Sequence, residues 1–119
     1  MKSSCITQTN LANKIHQGKV RDTYDLEDGR LLMIATDRIS AFDVVLPTGI
    51  PNKGVVLSRM AAFWFEHISH LIPHHLIALT DDSTIDLTNS TVGQLPSEIA
   101  ARSMIVRRAE RVDIECIVR

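Results

Sequence analysis

Residues able to do chemistry crowd into one stretch of this chain. Thr36-Asp37-Arg38-Ile39-Ser40-Ala41-Phe42-Asp43 holds two carboxylates, a guanidinium and a hydroxyl. A short apolar run, Val44-Val45-Leu46, leads on to Pro47-Thr48-Gly49-Ile50-Pro51-Asn52-Lys53-Gly54. Asp37 and Asp43 suit Mg²⁺, a hard cation that prefers oxygen ligands. Arg38 can fork onto a phosphate or a carboxylate, and Ser40 can donate to an anion. Lys53 brings a cation to a helix start, where backbone N–H groups already favour anions. The same spacing fits a charged turn with an internal Asp–Arg pair and a helix cap, and the residues alone leave both readings open. A Ser/His/Asp hydrolase fits poorly, because the chain has no Gly-x-Ser-x-Gly elbow.

The neighbouring elements must position these groups. Residues 31–35, Leu-Leu-Met-Ile-Ala, read as a buried strand. Val20, Asp22 and Tyr24 alternate with Arg21 and Thr23, the period of another strand. Gly18 between two extended runs predicts a hairpin, on the argument that glycine tolerates the positive φ of a tight turn. Glu27-Asp28-Gly29-Arg30 is a plain turn.

After Gly54, Leu57, Met60, Ala61, Trp64, Ile68, Leu71 and Ile72 fall on one helical stripe. This predicts a helix capped by Asn52, stopped by Pro73 and turned with that stripe to the core. Ser58, Arg59, Ala62, Glu66, Ser69 and His70 would lie outside. His67 and His70 could share a metal, but the pattern lacks a third fixed ligand, so no metal site is assigned. Residues 76–79, 103–107 and 112–118 read as strands, and residues 96–101 as one helical turn. The expected fold is α+β, a mostly antiparallel β-sheet with one long helix packed on it.

Composition narrows the classes. Apolar residues make up 45% of the 119, enough for one ordinary core. A net charge of -1 gives no basic field for nucleic acid. No apolar run reaches the roughly 20 residues that span a bilayer, and the first residues lack a signal-peptide core. Cys5 and Cys116 form no framework, which points to a reducing cytoplasm with both as ordinary small apolar residues. Residues 1–10 are expected to be loose, and residues 11–119 to form one lobe. The run Ile114-Glu115-Cys116-Ile117-Val118-Arg119 ends in mid-pattern, so the chain is expected to be the front part of something longer.

Four motifs in order carry a resemblance: Gly18-Lys19-Val20-Arg21-Asp22-Thr23-Tyr24, the stretch from Thr36 to Asp43, Pro51-Asn52-Lys53-Gly54, and Val112-Asp113-Ile114-Glu115-Cys116-Ile117-Val118-Arg119. Together they look like SAICAR synthetase. The resemblance implies a cytoplasmic ligase of de novo purine biosynthesis that uses ATP and Mg²⁺. Such an enzyme joins L-aspartate to carboxyaminoimidazole ribonucleotide (CAIR), by way of a phosphorylated carboxylate, and releases ADP and phosphate. It also implies a small β-rich N-terminal lobe, similar to that of protein kinases, above a larger C-terminal lobe.

On that analogy Gly18, Lys19, Val20 and Arg21 cover the ATP phosphates. Arg108 to Glu115 forms the hinge strand beside adenine, with Arg108 and Glu115 as nucleotide contacts. Asp37, Arg38, Ser40 and Asp43 are the catalytic candidates, Lys53 meets nucleotide and substrate, and Ser40 and Arg119 bind CAIR. A chain without the large lobe is expected to be inactive alone and to self-associate through the face left open. The alternative is a non-catalytic nucleotide-binding or interaction module built on the same lobe.

Overall fold

The computed structural model describes residues 5–119. Three consecutive strands open its main sheet. β1 (Lys14–Gln17) and β2 (Arg21–Asp25) make the hairpin expected around Gly18, and β3 (Arg30–Ala35) follows through the turn at Gly29. Gly29 has the positive φ (83°) that glycine permits, whereas Gly18 is not among the positive-φ residues. Glycine serves at position 18 because the turn is tight: its amide donates to the Arg21 carbonyl at 2.8 Å, and a Cβ would sit 3.3 Å from that oxygen.

After β3 comes a small hairpin, β4 (Ser40–Ala41) with β5 (Val44–Val45), then helix α1 (Lys53–Ile68). β6 (Leu76–Leu79), the short helix α2 (Ser97–Ala100) and β7 (Ser103–Arg107) complete the fold. The main sheet is antiparallel in the order β1-β2-β3-β7-β6.

Tyr24, Leu32 and Ile105 pair across three adjacent strands, and all are fully buried. With Leu26, Ile34 and Leu87 they form the core cluster, lined by Leu11, Ile85, Val92, Leu95 and Ile99. Burying one such side chain is worth about 1.5–3 kcal/mol, so this row anchors the sheet.

Helix α1 packs on β3, β7 and β6, but not by the face that its apolar stripe predicts. Its buried residues are Gly54, Ser58 and Ala62, small side chains four apart. Met60 and Trp64 are more than half exposed, as are Val56 and Phe63. The close approach at Gly54 fixes the roll of the helix: a Cβ there would lie 2.0 Å from the Ala35 carbonyl oxygen. Outside, Phe63, Trp64 and His67 pack against one another as an exposed aromatic group.

The helix also ends at Ile68, ahead of Pro73, where the amides of Leu71 and Ile72 turn back onto the Ile68 carbonyl. Asn52 occupies the cap position in a left-handed conformation, but its side chain makes no capping bond.

Three further expectations change. Residues 112–118 form no strand. The ladder ends at Arg30 opposite Arg107, and after the Arg108 amide bonds the Gly29 carbonyl in the turn, β3 offers no further partner for a strand. Residues 6–9 are bound into the fold rather than loose: the Ile6 carbonyl accepts from the Asp37 amide, and Thr9 is buried against Asp22 and Tyr24. Positions 1–4 lie outside the described residues. Cys5 and Cys116 are both exposed free thiols, not packed apolar side chains.

Candidate functional site

Asp37 lies just beyond the end of β3 and is fully buried. Its Oδ1 accepts from the Gly54 amide at 2.8 Å and from Arg102 Nη1 at 2.6 Å, and its Oδ2 accepts from the Ile6 amide at 2.9 Å. Asp37 is therefore what caps α1, in place of Asn52. Burial pushes its pKa up, but the Gly54 and Ile6 amides and the Arg102 guanidinium outweigh that and hold it below the usual aspartate value.

Arg38 is buried as well. Its guanidinium donates to the carbonyls of Thr7, Gly18 and Lys19 and to Asp22 Oδ1. Asp37 is shut off from solvent, and Arg38 is buried but still reaches the edge of a cleft with Gly18 and Val45. The cause is packing. The turn after β3 must satisfy a helix start and a hairpin loop, and these two side chains supply the bonds.

The exposed part of the row is the β4–β5 hairpin. Ser40 is half-buried at its base. Phe42 and Asp43, at its tip, both take positive φ (50° and 63°), and Phe42 is wholly exposed. Lys19 of the β1–β2 loop forms an ion pair with Asp43, linking the two hairpins, and that partner lowers the Asp43 pKa. Between the hairpins lies a cleft of about 270 Å³ lined by Thr7, Gln17, Gly18, Arg38, Val45 and Pro47.

Lys53 completes the cluster from the first turn of α1, with its Nζ donating to the Arg38 carbonyl at 3.0 Å. Burial and then the charge of Arg21 lower its pKa, while Asp37 opposes them. The charge of Arg21 thus disfavours a second cation at Lys53, an arrangement that an anion would relieve.

Gly18, Lys19, Val20, Arg21, Asp43 and Lys53 therefore gather at one end of the sheet. Arg108, Glu115 and Arg119 do not join them. Arg108 leaves the far end of β7, where its amide donates to the Gly29 carbonyl and its Nη1 to Asp25 Oδ2. Glu115 and Arg119 are exposed on a segment without regular structure, so the hinge strand expected beside adenine is not formed as a strand. The two ends are separated by the length of β2, about 13 Å at ~3.3 Å per residue.

The donor set does not fit a Mg²⁺ site. Both oxygens of Asp37 are occupied, Asp43 lies on the surface with Lys19, and the described residues contain no group of three or more His, Cys, Asp or Glu able to hold a metal. Asp22 and Thr36 lie inside the quoted motifs but receive no role from them. Alternation places Asp22 with Tyr24 on the core face, where a carboxylate needs a partner. Arg102 and Thr9 carry no local signal.

The profile of the SAICAR synthetase family matches residues 14–119. The chain belongs to the SAICAR synthetase family. Among its relatives, the phosphoribosylaminoimidazole-succinocarboxamide synthase of Nitrosomonas europaea is 38% identical over all of this chain. That of Syntrophotalea carbinolica is 44% identical over 96% of it. The solved SAICAR synthase of Saccharomyces cerevisiae, complexed with SAICAR, superposes with a TM-score of 0.72 at 35% identity, over 87% of this chain and 36% of that one. The chain spans 39% and 38% of the two bacterial relatives. As a SAICAR synthetase lobe, its antiparallel sheet with one long helix is the architecture that the motifs implied.

Proposed function

We propose that this chain supplies the nucleotide-covering lobe of an ATP-dependent ligase that joins L-aspartate to CAIR, giving SAICAR, ADP and phosphate. The observation that carries the reading is that Lys19, Arg21 and Lys53 lie at the same end of the sheet as the loop at Gly18, in a member of this family. These cations would neutralise phosphate charge, and the loop would cover the triphosphate. The exposed hairpin carrying Ser40 and Asp43 would face the nucleotide substrate.

Asp37 and Arg38 act one step back, by fixing the start of α1 and the shape of the loop. The far end of the sheet, near Arg108, is distant enough for an adenine to lie there while its phosphates reach the Gly18 loop. Glu115 and Arg119 would contribute only if the segment after Arg108 folds against a further lobe. Mg²⁺ would offset the charge of the phosphates, and no residue described here is assigned to hold it.

The test is a chimera. In the Nitrosomonas europaea relative, the matching region is replaced by these 119 residues, and ADP release is measured. Release that requires both CAIR and aspartate supports the reading. A folded chimera that hydrolyses ATP without needing aspartate, or not at all, refutes it.

A further inference from the structure

Arg38 spends its guanidinium on carbonyl oxygens. Nη2 donates to Gly18 at 2.9 Å, Nε to Lys19 at 3.3 Å and Nη1 to Thr7 at 2.8 Å, while Asp22 balances the charge at 2.6 Å. The next carbonyl, that of Val20, accepts from the Thr36 amide at 3.0 Å and from the Thr36 hydroxyl. Three successive carbonyls of one loop are thus drawn inward.

This sets the direction of the amides. The described chain has no cis peptide bond, and across a trans peptide plane the C=O and N–H point opposite ways. Holding the Gly18 carbonyl inward turns the Lys19 amide outward, and holding the Lys19 carbonyl turns out that of Val20. Successive outward amides form a concavity that favours an anion. Lysine could not replace Arg38, because one ammonium lacks the planar fork that reaches several acceptors at once.

We propose that Arg38 is a positioning residue that sets the polarity of the loop, presenting the Lys19 and Val20 amides to the phosphates of a nucleotide. The proposal rests on the nucleotide reading given above. Arg38 acts on the nucleotide through the loop backbone that it holds. It determines which side of that backbone meets the phosphates.

The experiment is NMR on the 119-residue chain, wild type and Arg38→Lys, with three readouts: amide exchange, ¹⁵N relaxation and titration with ATP. In the wild type the Lys19 and Val20 amides exchange rapidly with water and shift saturably with ATP. In Arg38→Lys the loop gains fast motion and ATP binds about tenfold more weakly, on the scale of losing a charge-assisted contact. The Leu32, Ile34 and Ile105 amides keep their protection. Unchanged loop order and unchanged ATP affinity in that variant overturn the proposal and leave the nucleotide reading standing. A wild-type loop that does not respond to ATP overturns the proposal, while the nucleotide reading stands or falls on the chimera. If Arg38→Lys does not fold, the wild type decides: slow exchange at Lys19 and Val20 overturns the outward polarity, and fast exchange with an ATP response supports it.

Discussion

The carboxylate of Asp37 and the guanidinium of Arg102 meet at 2.6 Å across 65 residues of sequence, both almost wholly withdrawn from water. The pair ties the start of β7 to the start of α1. Removing one partner strands the other charge, which costs about 3–5 kcal/mol. Asp37→Asn should therefore lower the urea stability of the chain by that order, read as a shift in the unfolding midpoint.

The same carboxylate makes stability depend on pH. Its folded pKa is depressed below the ordinary 3.8, so between the two values the unfolded chain binds more protons. The contribution is fully present above the ordinary value and is lost as pH falls through the folded one. Urea midpoints measured downward from neutral pH should fall more steeply in the wild type than in Asp37→Asn.

Asp43 should behave otherwise, although it belongs to the same motif. Its pair with Lys19 is exposed on both sides, and exposed pairs contribute little. Asp43→Asn should leave the melting temperature essentially unchanged. A large loss would mean that the hairpin tip bears on the fold.

The inner face of α1 predicts opposite signs at adjacent turns. Gly54→Ala forces a Cβ against the Ala35 carbonyl and should cost about 3 kcal/mol or more. Ser58 is buried, and its hydroxyl has no partner among the described residues. Ser58→Ala should stabilise by about 1 kcal/mol. Calorimetric melting of the two variants checks both signs.

The outer face of α1 exposes Val56, Met60, Phe63 and Trp64 together, and contiguous apolar patches drive association. Sedimentation of the wild type should show species larger than 13.3 kDa at high concentration. Phe63→Gln with Trp64→Gln should return it to a monomer without loss of helicity.

Much of the sheet was legible because alternation and apolar runs report burial directly: β2, β3, β6 and β7 lie where residue types put them. The roll of α1 was not legible. Hydrophobicity marks Met60 and Trp64 as core, whereas backbone contact at Gly54 decides which side docks. Within the candidate site, sequence singled out the Asp37–Asp43 stretch but could not separate bond-makers from solvent-facing groups. That division depends on Arg102, Ile6 and Thr7, distant residues whose arrival only the fold reveals.

Arg38 joins its own turn after β3 to Thr7 and to the β1–β2 hairpin at Gly18 and Asp22, three separate parts of the chain. The loop can take its working shape only after those parts have come together, so the site is assembled by the same cooperative event that closes the core. Occupancy and folding then share one equilibrium. Any anion held by the loop must raise the melting temperature of the whole lobe. Conversely, a destabilising change in the core far from the loop would weaken binding by thinning the folded population.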